Sequence, residues 1–462
     1  MGQGSREGDS NMEEKKEGFG SKIGFILAAA GSAVGLGNIW RFPYLAAKYG
    51  GGFFLLVYII LVTTFGFSLM VTEISLGRKT GKSVIGAYRD ADKRFAFLGP
   101  FASLVPFIIT PYYCVIGGWV LKYLVVFVTG QSASATSDDF FGDFISTAGQ
   151  PTIFFLIYAV LTAVVVIFGV EKGIEKVSEI LMPGLVLLSI GIVIYTMTLP
   201  GAGAGIKYYI IPDFSEFSGS MLLKTIVAAM GQLFYSMSLA MGIMVTYGSY
   251  MRKQDSIETS VRQISIFDTG IAIIAGFIIV PSVFIFSGGD KAALNAGPGL
   301  MFVTLPKVFD SMRGGRIVGA AFFILVAFAA LTSSVSLLET MVSIISERFN
   351  LKRVASTAVC VVIVIVMGLF SVLGYSNWSG VTIFGYQILD FFDFISNNIM
   401  MPIVALLTSI LIGFVVKPEF IEEETTHNGE KFKAKGLYEI MTRIVCPTFM
   451  IIILLTPFFV KL

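Results

Sequence analysis

Gly31-Ser32-Ala33-Val34-Gly35-Leu36-Gly37-Asn38-Ile39-Trp40-Arg41-Phe42-Pro43 lies inside the first hydrophobic segment of a 462-residue chain. A membrane-crossing helix is normally most apolar at that depth. Three glycines in seven residues, followed by Asn38, Arg41 and Pro43, oppose an unbroken helix. In hydrocarbon every backbone N–H and C=O has to be bonded, so a break survives only when buried in protein or lining a watery cavity. Such a break exposes carbonyls and amides at membrane depth, which is what binding a cation or a zwitterion requires. This one segment argues for a solute site.

The rest of the chain supplies the membrane domain. It is 55% hydrophobic and only 14% charged, against ~25% charged in soluble domains. A spanning helix needs about 20 apolar residues. Eleven such stretches run near 23–47, 52–77, 98–128, 153–170, 177–198, 222–250, 262–287, 315–346, 354–373, 383–416 and 438–460. The expected fold is an all-α polytopic membrane protein with eleven transmembrane helices. A net charge of +2 carries no nucleic-acid signal. Cys114, Cys360 and Cys446 all lie in apolar segments, which argues against disulfides and a cysteine-based metal site. The single histidine, His427, is in a polar loop. The first twenty residues lack the apolar core of a signal peptide, and Met12 is an alternative native start to Met1.

Lys and Arg in short loops orient the helices. Loop 78–94 carries Arg78, Lys79, Lys82, Arg89, Lys93 and Arg94, and loops 171–176, 251–262, 347–353 and 417–437 are also basic. Loop 130–150 has no Lys or Arg but contains Asp138, Asp139 and Asp143. The N-terminus is therefore expected in the cytoplasm and, with eleven spans, the C-terminus outside. Segment 288–316 dissents, with Lys291, Lys307, Arg313 and Arg316; long loops weigh little in the rule.

A second interruption, Gly231-Gln232-Leu233-Phe234-Tyr235-Ser236-Met237-Ser238-Leu239-Ala240-Met241-Gly242, falls in the sixth segment. Breaks in the first and sixth of ten helices suggest a five-plus-five inverted repeat with the site between them; the alternative is that Gly and Ser merely permit close packing. The resulting division is 1–22 as a cytoplasmic segment, 23–198 and 199–416 as the repeats, 417–437 as a cytoplasmic loop and 438–462 as an added eleventh helix.

At these residues the chain resembles the neurotransmitter:sodium symporter family, sodium-coupled transporters of amino acids and biogenic amines. The resemblance runs from about residue 19 to 460. Its marks are Gly31 to Pro43, Tyr112-Tyr113, Gly231 to Gly242, Ala329-Ala330-Leu331-Thr332-Ser333-Ser334 and Leu389-Asp390-Phe391-Phe392-Asp393-Phe394. Eleven helices and short outer loops are similar to its bacterial branch.

Sodium is a hard cation that prefers oxygen ligands, as the hard divalent ions do. The resemblance implies two sodium ions. One site would use the carbonyls of Gly31, Val34 and Ala329 with the hydroxyls of Thr332 and Ser333, although such hydroxyls also bond back to their own helix. The other would use the Ala33 carbonyl, the Asn38 amide oxygen, Ser236 and Asp268. Asp268 lies deep in an apolar helix, where an ionised group is costly and functional by default; a protonated, hydrogen-bonded carboxyl is the alternative. Tyr58, Gln232 and Ser236 match parts of the family's chloride site, but a carboxylate at 268 supplies the negative charge itself. The expectation is chloride-independent transport, with proton release coupled to sodium binding.

The resemblance further implies that the substrate carboxylate meets the N–H groups of Leu36 and Gly37, at a half-helix N-terminus that favours an anion, and the Tyr113 hydroxyl. The ammonium would meet the carbonyls of Ala33 and Tyr235 and the Ser238 hydroxyl. Ser32, Ile109, Tyr235, Met241, Ser333 and Leu337 would set side-chain selectivity, with Ser236 close by; this set is mostly apolar and uncharged. A neutral, hydrophobic, small to medium α-amino acid is the expected substrate, with aromatic amino acids as the alternative. Ala240 stands where relatives often have Gly.

Arg41 and Asp393 are expected to pair as an outer gate, unless Arg41 snorkels to headgroups. Lys16 and Glu347 are the expected inner pair, with Ser249, Tyr250 and Glu339 nearby. Gly173 and Pro183 in the fifth helix either permit its inner end to unwind or simply cap and bend it. Glu73 is expected to accept bonds from the break in the sixth helix. The chain reads as a plasma-membrane symporter, not an enzyme, whose partners are an amino acid and the bilayer. A channel lacks the required charge rings or repeated filter, and a non-transporting amino-acid sensor stays open.

Overall fold

The computed structural model describes residues 18–212, 214, 218–288 and 299–459. Met12, Lys16 and Lys291 lie outside them. All eleven apolar stretches are helical. Nine are continuous spans: helix 2 (Gly52–Thr80), helix 3 (Lys93–Val128), helix 4 (Gly149–Ile167), helix 5 (Val170–Met197), helix 7 (Ile257–Phe286), helix 8 (Gly315–Phe349), helix 9 (Arg353–Tyr375), helix 10 (Ile388–Val415) and helix 11 (Lys435–Thr456). Helix 1 consists of Lys22–Ala33 and Gly37–Lys48, bent by 54° at the break. Helix 6 is split into Gly219–Ser236 and Ile243–Tyr250. Among the described residues there is no strand, only two isolated β-bridges.

The breaks form for different reasons. In helix 1, Val34 turns to an extended conformation (ψ 97°), and beyond the break Pro43 lies where the π-helical turn Gly37–Arg41 runs into the helix Phe42–Lys48. In helix 6 the chain alternates into left-handed geometry at Ser238 (φ 54°), Ala240 (φ 59°) and Gly242 (φ 80°). Two of these carry a Cβ, a strained arrangement that only a surrounding structure sustains. Glu73 of helix 2 is part of that support: its Oε1 accepts the Ala240 N–H at 2.8 Å, as expected from the sequence.

Helix 2 packs directly on the second half of helix 6. A Cβ at Gly77 would lie 1.9 Å from the Val245 carbonyl oxygen, and one at Gly248 2.3 Å from that of Ile74. The two backbones touch because neither position carries a side chain. Helices 3 and 8 run side by side through the centre, with helices 4, 5 and 9 against them. Helix 11 packs on helix 10 and reaches helix 2 through the Tyr438 hydroxyl, 2.7 Å from Thr72 Oγ1.

Several loops taken from the sequence overlap helices, among them 251–262 with helix 7 and 417–437 with the helix Glu419–Thr425; the departure that bears on the site lies between helices 4 and 5. Residues 171–176, taken as a basic loop, belong to the first turns of helix 5: Val170–Glu175 is a π-helical turn running into Lys176–Met197. The true connection to helix 4 is made at Gly169, at φ 88°. Gly173 fits because a Cβ there would lie 2.1 Å from the Val165 carbonyl oxygen.

Candidate functional site

The breaks of helices 1 and 6 face each other. Ser32 Oγ and Ser238 Oγ are 3.1 Å apart, Ser238 Oγ donates to the Ser32 carbonyl at 2.9 Å, and Gln232 Nε2 donates to the Gly37 carbonyl at 2.9 Å. Side chains of helix 6 thus satisfy carbonyls at the helix 1 break, while Glu73 of helix 2 serves the backbone of the helix 6 break.

Between them is a cavity of about 20 Å³, room for about one water. Nine of the expected substrate residues line it: Ser32, Ala33, Ile109, Tyr113, Tyr235, Ser238, Met241, Ser333 and Leu337. Gly35 and Ile243 line it too and were not foreseen, though each directly adjoins a break residue already singled out. Leu36, Gly37 and Ser236 do not. The Leu36 N–H donates to the Tyr113 hydroxyl at 3.3 Å, so two of the expected carboxylate donors meet one another. Gly37 lies under Tyr235, whose Cδ1 is 2.4 Å from where a Cβ would be. Ser236 turns away, toward helix 7.

That turn creates the first oxygen-rich cluster. Ser236 Oγ donates to Asp268 Oδ1 at 2.7 Å, and Asn38 Nδ2 reaches the same oxygen at 2.7 Å, Ser236 Oγ at 2.9 Å and the Asp268 carbonyl at 3.2 Å. The Tyr58 hydroxyl donates to Asp268 Oδ2 at 3.4 Å, and Asn38 Oδ1 accepts the Gly35 N–H at 3.1 Å. Asn38, Ser236 and Asp268 are therefore together and buried, with Tyr58 behind them. Ala33 stands in the wall of the neighbouring cavity.

A second cluster joins helix 1 to helix 8. Ser333 Oγ lies 3.1 Å from the carbonyl oxygens of Ser32 and Ala329 and 3.4 Å from those of Gly31 and Val34. Thr332 Oγ1 bonds back to Ala329 and Phe328 carbonyls, both at 3.1 Å. Helix 8 back-bonding and contact with helix 1 thus coexist. The five groups expected from the sequence converge here. Met182, immediately before Pro183, also touches it: its Sδ is 3.3 Å from the Cβ position of Gly31.

The expected gates differ from the structure. Arg41 and Asp393 line one cavity of about 370 Å³, together with Trp40, Trp119 and Asp390, but no ion pair joins them among the described residues. Asp393 instead accepts the Tyr112 hydroxyl at 3.0 Å and Asn397 Nδ2 at 2.7 Å. The Arg41 guanidinium lies 5.6 Å from the Tyr235 ring centroid. Neighbouring side chains have satisfied the carboxylate first. Tyr235 lines both this cavity and the smaller one, so one aromatic ring separates them.

At the other face, Lys16 lies outside the described residues, and Glu347 accepts the Ser83 N–H of the loop after helix 2. The start of helix 1 is held by Tyr250, which the sequence reading placed in this region with Glu339, and by Glu175 and Arg252, which it missed. The Phe19 N–H donates to the Tyr250 carbonyl at 3.1 Å, and the Tyr250 hydroxyl donates to Glu339 Oε1 at 2.8 Å. Glu339 also pairs with Arg353 of helix 9. Glu175 of helix 5 accepts the Gly20 N–H at 2.7 Å, the Ser21 N–H at 3.1 Å and the Ser21 hydroxyl at 2.8 Å. Arg252 Nη1 holds the Gly20 carbonyl at 3.0 Å. Glu175 sits in the charged run Glu171-Lys172-Gly173-Ile174-Glu175-Lys176, which reads as solvated; nothing local marks it as buried.

The model of the sodium:neurotransmitter symporter family matches residues 16–142 and 135–461. An uncharacterized sodium-dependent transporter of Bacillus subtilis, YhdH, is 35% identical over 96% of this chain and 98% of its own length. The sodium- and chloride-dependent GABA transporter 2 of Rattus norvegicus is 24% identical over 88% of this chain and 74% of its own. The crystal structure of MhsT in complex with L-phenylalanine superposes with a TM-score of 0.86 at 36% identity, covering 96% of this chain and 99% of that one. The paired helix breaks and inverted five-helix repeats are the architecture of such symporters. The chain belongs to the sodium:neurotransmitter symporter family and is a sodium-dependent, multi-pass membrane transporter, not an enzyme.

Proposed function

We propose that the protein carries a neutral, hydrophobic, small to medium α-amino acid into the cell together with two sodium ions, by alternating access and without a need for chloride. The observation that carries this reading is the small cavity between the two breaks, walled by Ile109, Met241, Ile243 and Leu337 and flanked by an oxygen cluster on either side. Ser32, Ser238, Ser333 and the two tyrosines are the polar groups of its wall, and none carries a fixed charge. A zwitterion with an apolar side chain suits such a wall. An amino acid needs more than the volume of one water, so binding requires Tyr235 or the helix 6 break to shift.

In this reading Asn38, Ser236, Asp268 and the Ala33 carbonyl hold one sodium, and Gly31, Val34, Ala329, Thr332 and Ser333 hold the other. The substrate carboxylate takes the place of the contact between Tyr113 and Leu36, with Gly37 adjacent; the ammonium meets Ser238 and the carbonyls of Ala33 and Tyr235. Asp268 supplies the negative charge that makes an anion unnecessary. The N-terminus is cytoplasmic and the C-terminus outside, following the basic loops. The two repeats are 23–198 and 199–416. An aromatic substrate is the second reading, favoured by the phenylalanine bound in MhsT.

Uptake into proteoliposomes tests both. Each of the twenty amino acids is offered under an inward sodium gradient, with chloride replaced by gluconate. Saturable uptake of one or more hydrophobic amino acids, lost without the gradient, is expected. Sodium-dependent binding with no accumulation makes the protein a sensor, and accumulation that requires chloride removes the role given to Asp268.

A further inference from the structure

Helix 1 begins on a carboxylate that belongs to another helix. Glu175 is 4% exposed, and it accepts the Gly20 and Ser21 N–H groups and the Ser21 hydroxyl. Ser21 in turn caps helix 1, accepting the Gly24 N–H at 2.8 Å. The first N–H groups of a helix have no partner within it and carry its positive end. Glu175 therefore completes the cap across a sequence separation of 155 residues. The fit depends on a missing side chain: a Cβ on Gly24 would lie 1.9 Å from Glu175 Oε1. On the far side the same short stretch is held by Arg252 on the Gly20 carbonyl and by the Tyr250 carbonyl on the Phe19 N–H.

The segment after helix 5 reaches the other half of helix 1. It forms the short helix Ala202–Ile210, and the Tyr208 hydroxyl donates to the Ala47 carbonyl. Helix 5 thus holds one end of the broken helix and the short helix after it holds the other. Glu175 itself closes a widened π-helical turn at the start of helix 5, a geometry that departs from the regular helix ladder and is frequent at functional sites.

We propose that Glu175 is the positioning residue of the inner closure: its carboxylate pins the start of helix 1 to helix 5, and the inner path opens when these three hydrogen bonds break. This rests on the alternating-access reading above. Sodium and substrate release on the cytoplasmic side then require helix 1 to leave Glu175, while Tyr208 keeps its outer half in place.

Labelling of two reporter cysteines in detergent with a bulky maleimide tests it, in a background where Cys114, Cys360 and Cys446 are replaced by alanine. Ser178→Cys, 3% exposed and one turn beyond Glu175, reports the inner path; Ile116→Cys, 5% exposed in the outer cavity wall, reports the outer one. In the otherwise wild-type protein, sodium is expected to slow the inner reporter and speed the outer one; no response at either fails the alternating-access reading and the latch with it. If that response is present, Glu175→Gln in potassium is expected to label about tenfold faster at the inner reporter, the loss of a charge-assisted contact, and more slowly at the outer one. Gly24→Ala, which evicts the carboxylate without altering it, is expected to do the same, and so answers the question if Glu175→Gln does not fold. Glu171→Gln, at an exposed acid one turn earlier, is expected to change neither. Rates equal to wild type in Glu175→Gln and Gly24→Ala, or faster labelling at both reporters together, overturn the latch; the latter marks a general loss of packing.

Discussion

The two oxygen clusters beside the helix 1 break are built from opposite materials. The one around Asp268 is a side-chain cluster that holds helices 1, 6 and 7 through one carboxylate oxygen, which accepts from both Asn38 and Ser236 at 2.7 Å. The one around Ser333 is a carbonyl cluster between helices 1 and 8, with a hydroxyl at 3.1–3.4 Å from four backbone oxygens and no formal charge. In the proposed reading Asp268 carries a buried charge, and the strength of an electrostatic site follows that charge. A ring of carbonyls makes a geometric site whose strength follows the spacing of two helices. The first is therefore sensitive to chemistry, the second to motion of helix 1 against helix 8.

The sharpest way to break this contrast is to neutralise the charged cluster. Asp268→Asn is expected to raise the sodium concentration for half-maximal uptake by roughly tenfold or more, the scale of one lost charge-assisted contact, and to make uptake respond to chloride. Unchanged uptake that stays indifferent to chloride would falsify the electrostatic half of the comparison. Ser333→Ala is expected to weaken sodium activation about fivefold, one neutral hydrogen bond, with no chloride response; a chloride response here would mean that the clusters are not distinct. Gly31→Ala tests the geometric half without touching any ligand atom. Its Cβ would lie 3.1 Å from Thr332 Cβ, and an about fivefold weaker sodium response, roughly 1 kcal/mol at the low end of crowding costs, is expected in uptake titrations. The smallest effect belongs to the outer cavity. Because Arg41 and Asp393 are not joined, a double-mutant cycle of Arg41→Gln and Asp393→Asn on substrate binding is expected to give a coupling below ~0.5 kcal/mol.

Asp268 was legible because an ionisable side chain in an apolar helix has few places to go; Asn38, Ser236, Thr332 and Ser333 were marked by the family resemblance, since a serine or threonine hydroxyl alone reads as bonded to its own helix. Glu73 was legible for the same reason as Asp268, and it does meet the helix 6 break. The gates were not. Arg41, Asp393 and Glu347 stand near helix ends, where several partners compete, and the choice fell to Tyr235, to Tyr112 and Asn397, and to Ser83 respectively. Glu175 was hidden altogether, in a run of alternating charge that reads as a loop and folds as the first turn of helix 5.

Glycine, proline and polar residues at membrane depth determine by themselves that helices 1 and 6 break, because backbone geometry and the need to satisfy every N–H and C=O act over a few residues. Which groups then meet is decided only by the tertiary structure. Asn38 finds Asp268 across 230 residues and Gly20 finds Glu175 across 155. A charge in the chain specifies that it needs a partner; the packing of distant helices specifies which one arrives.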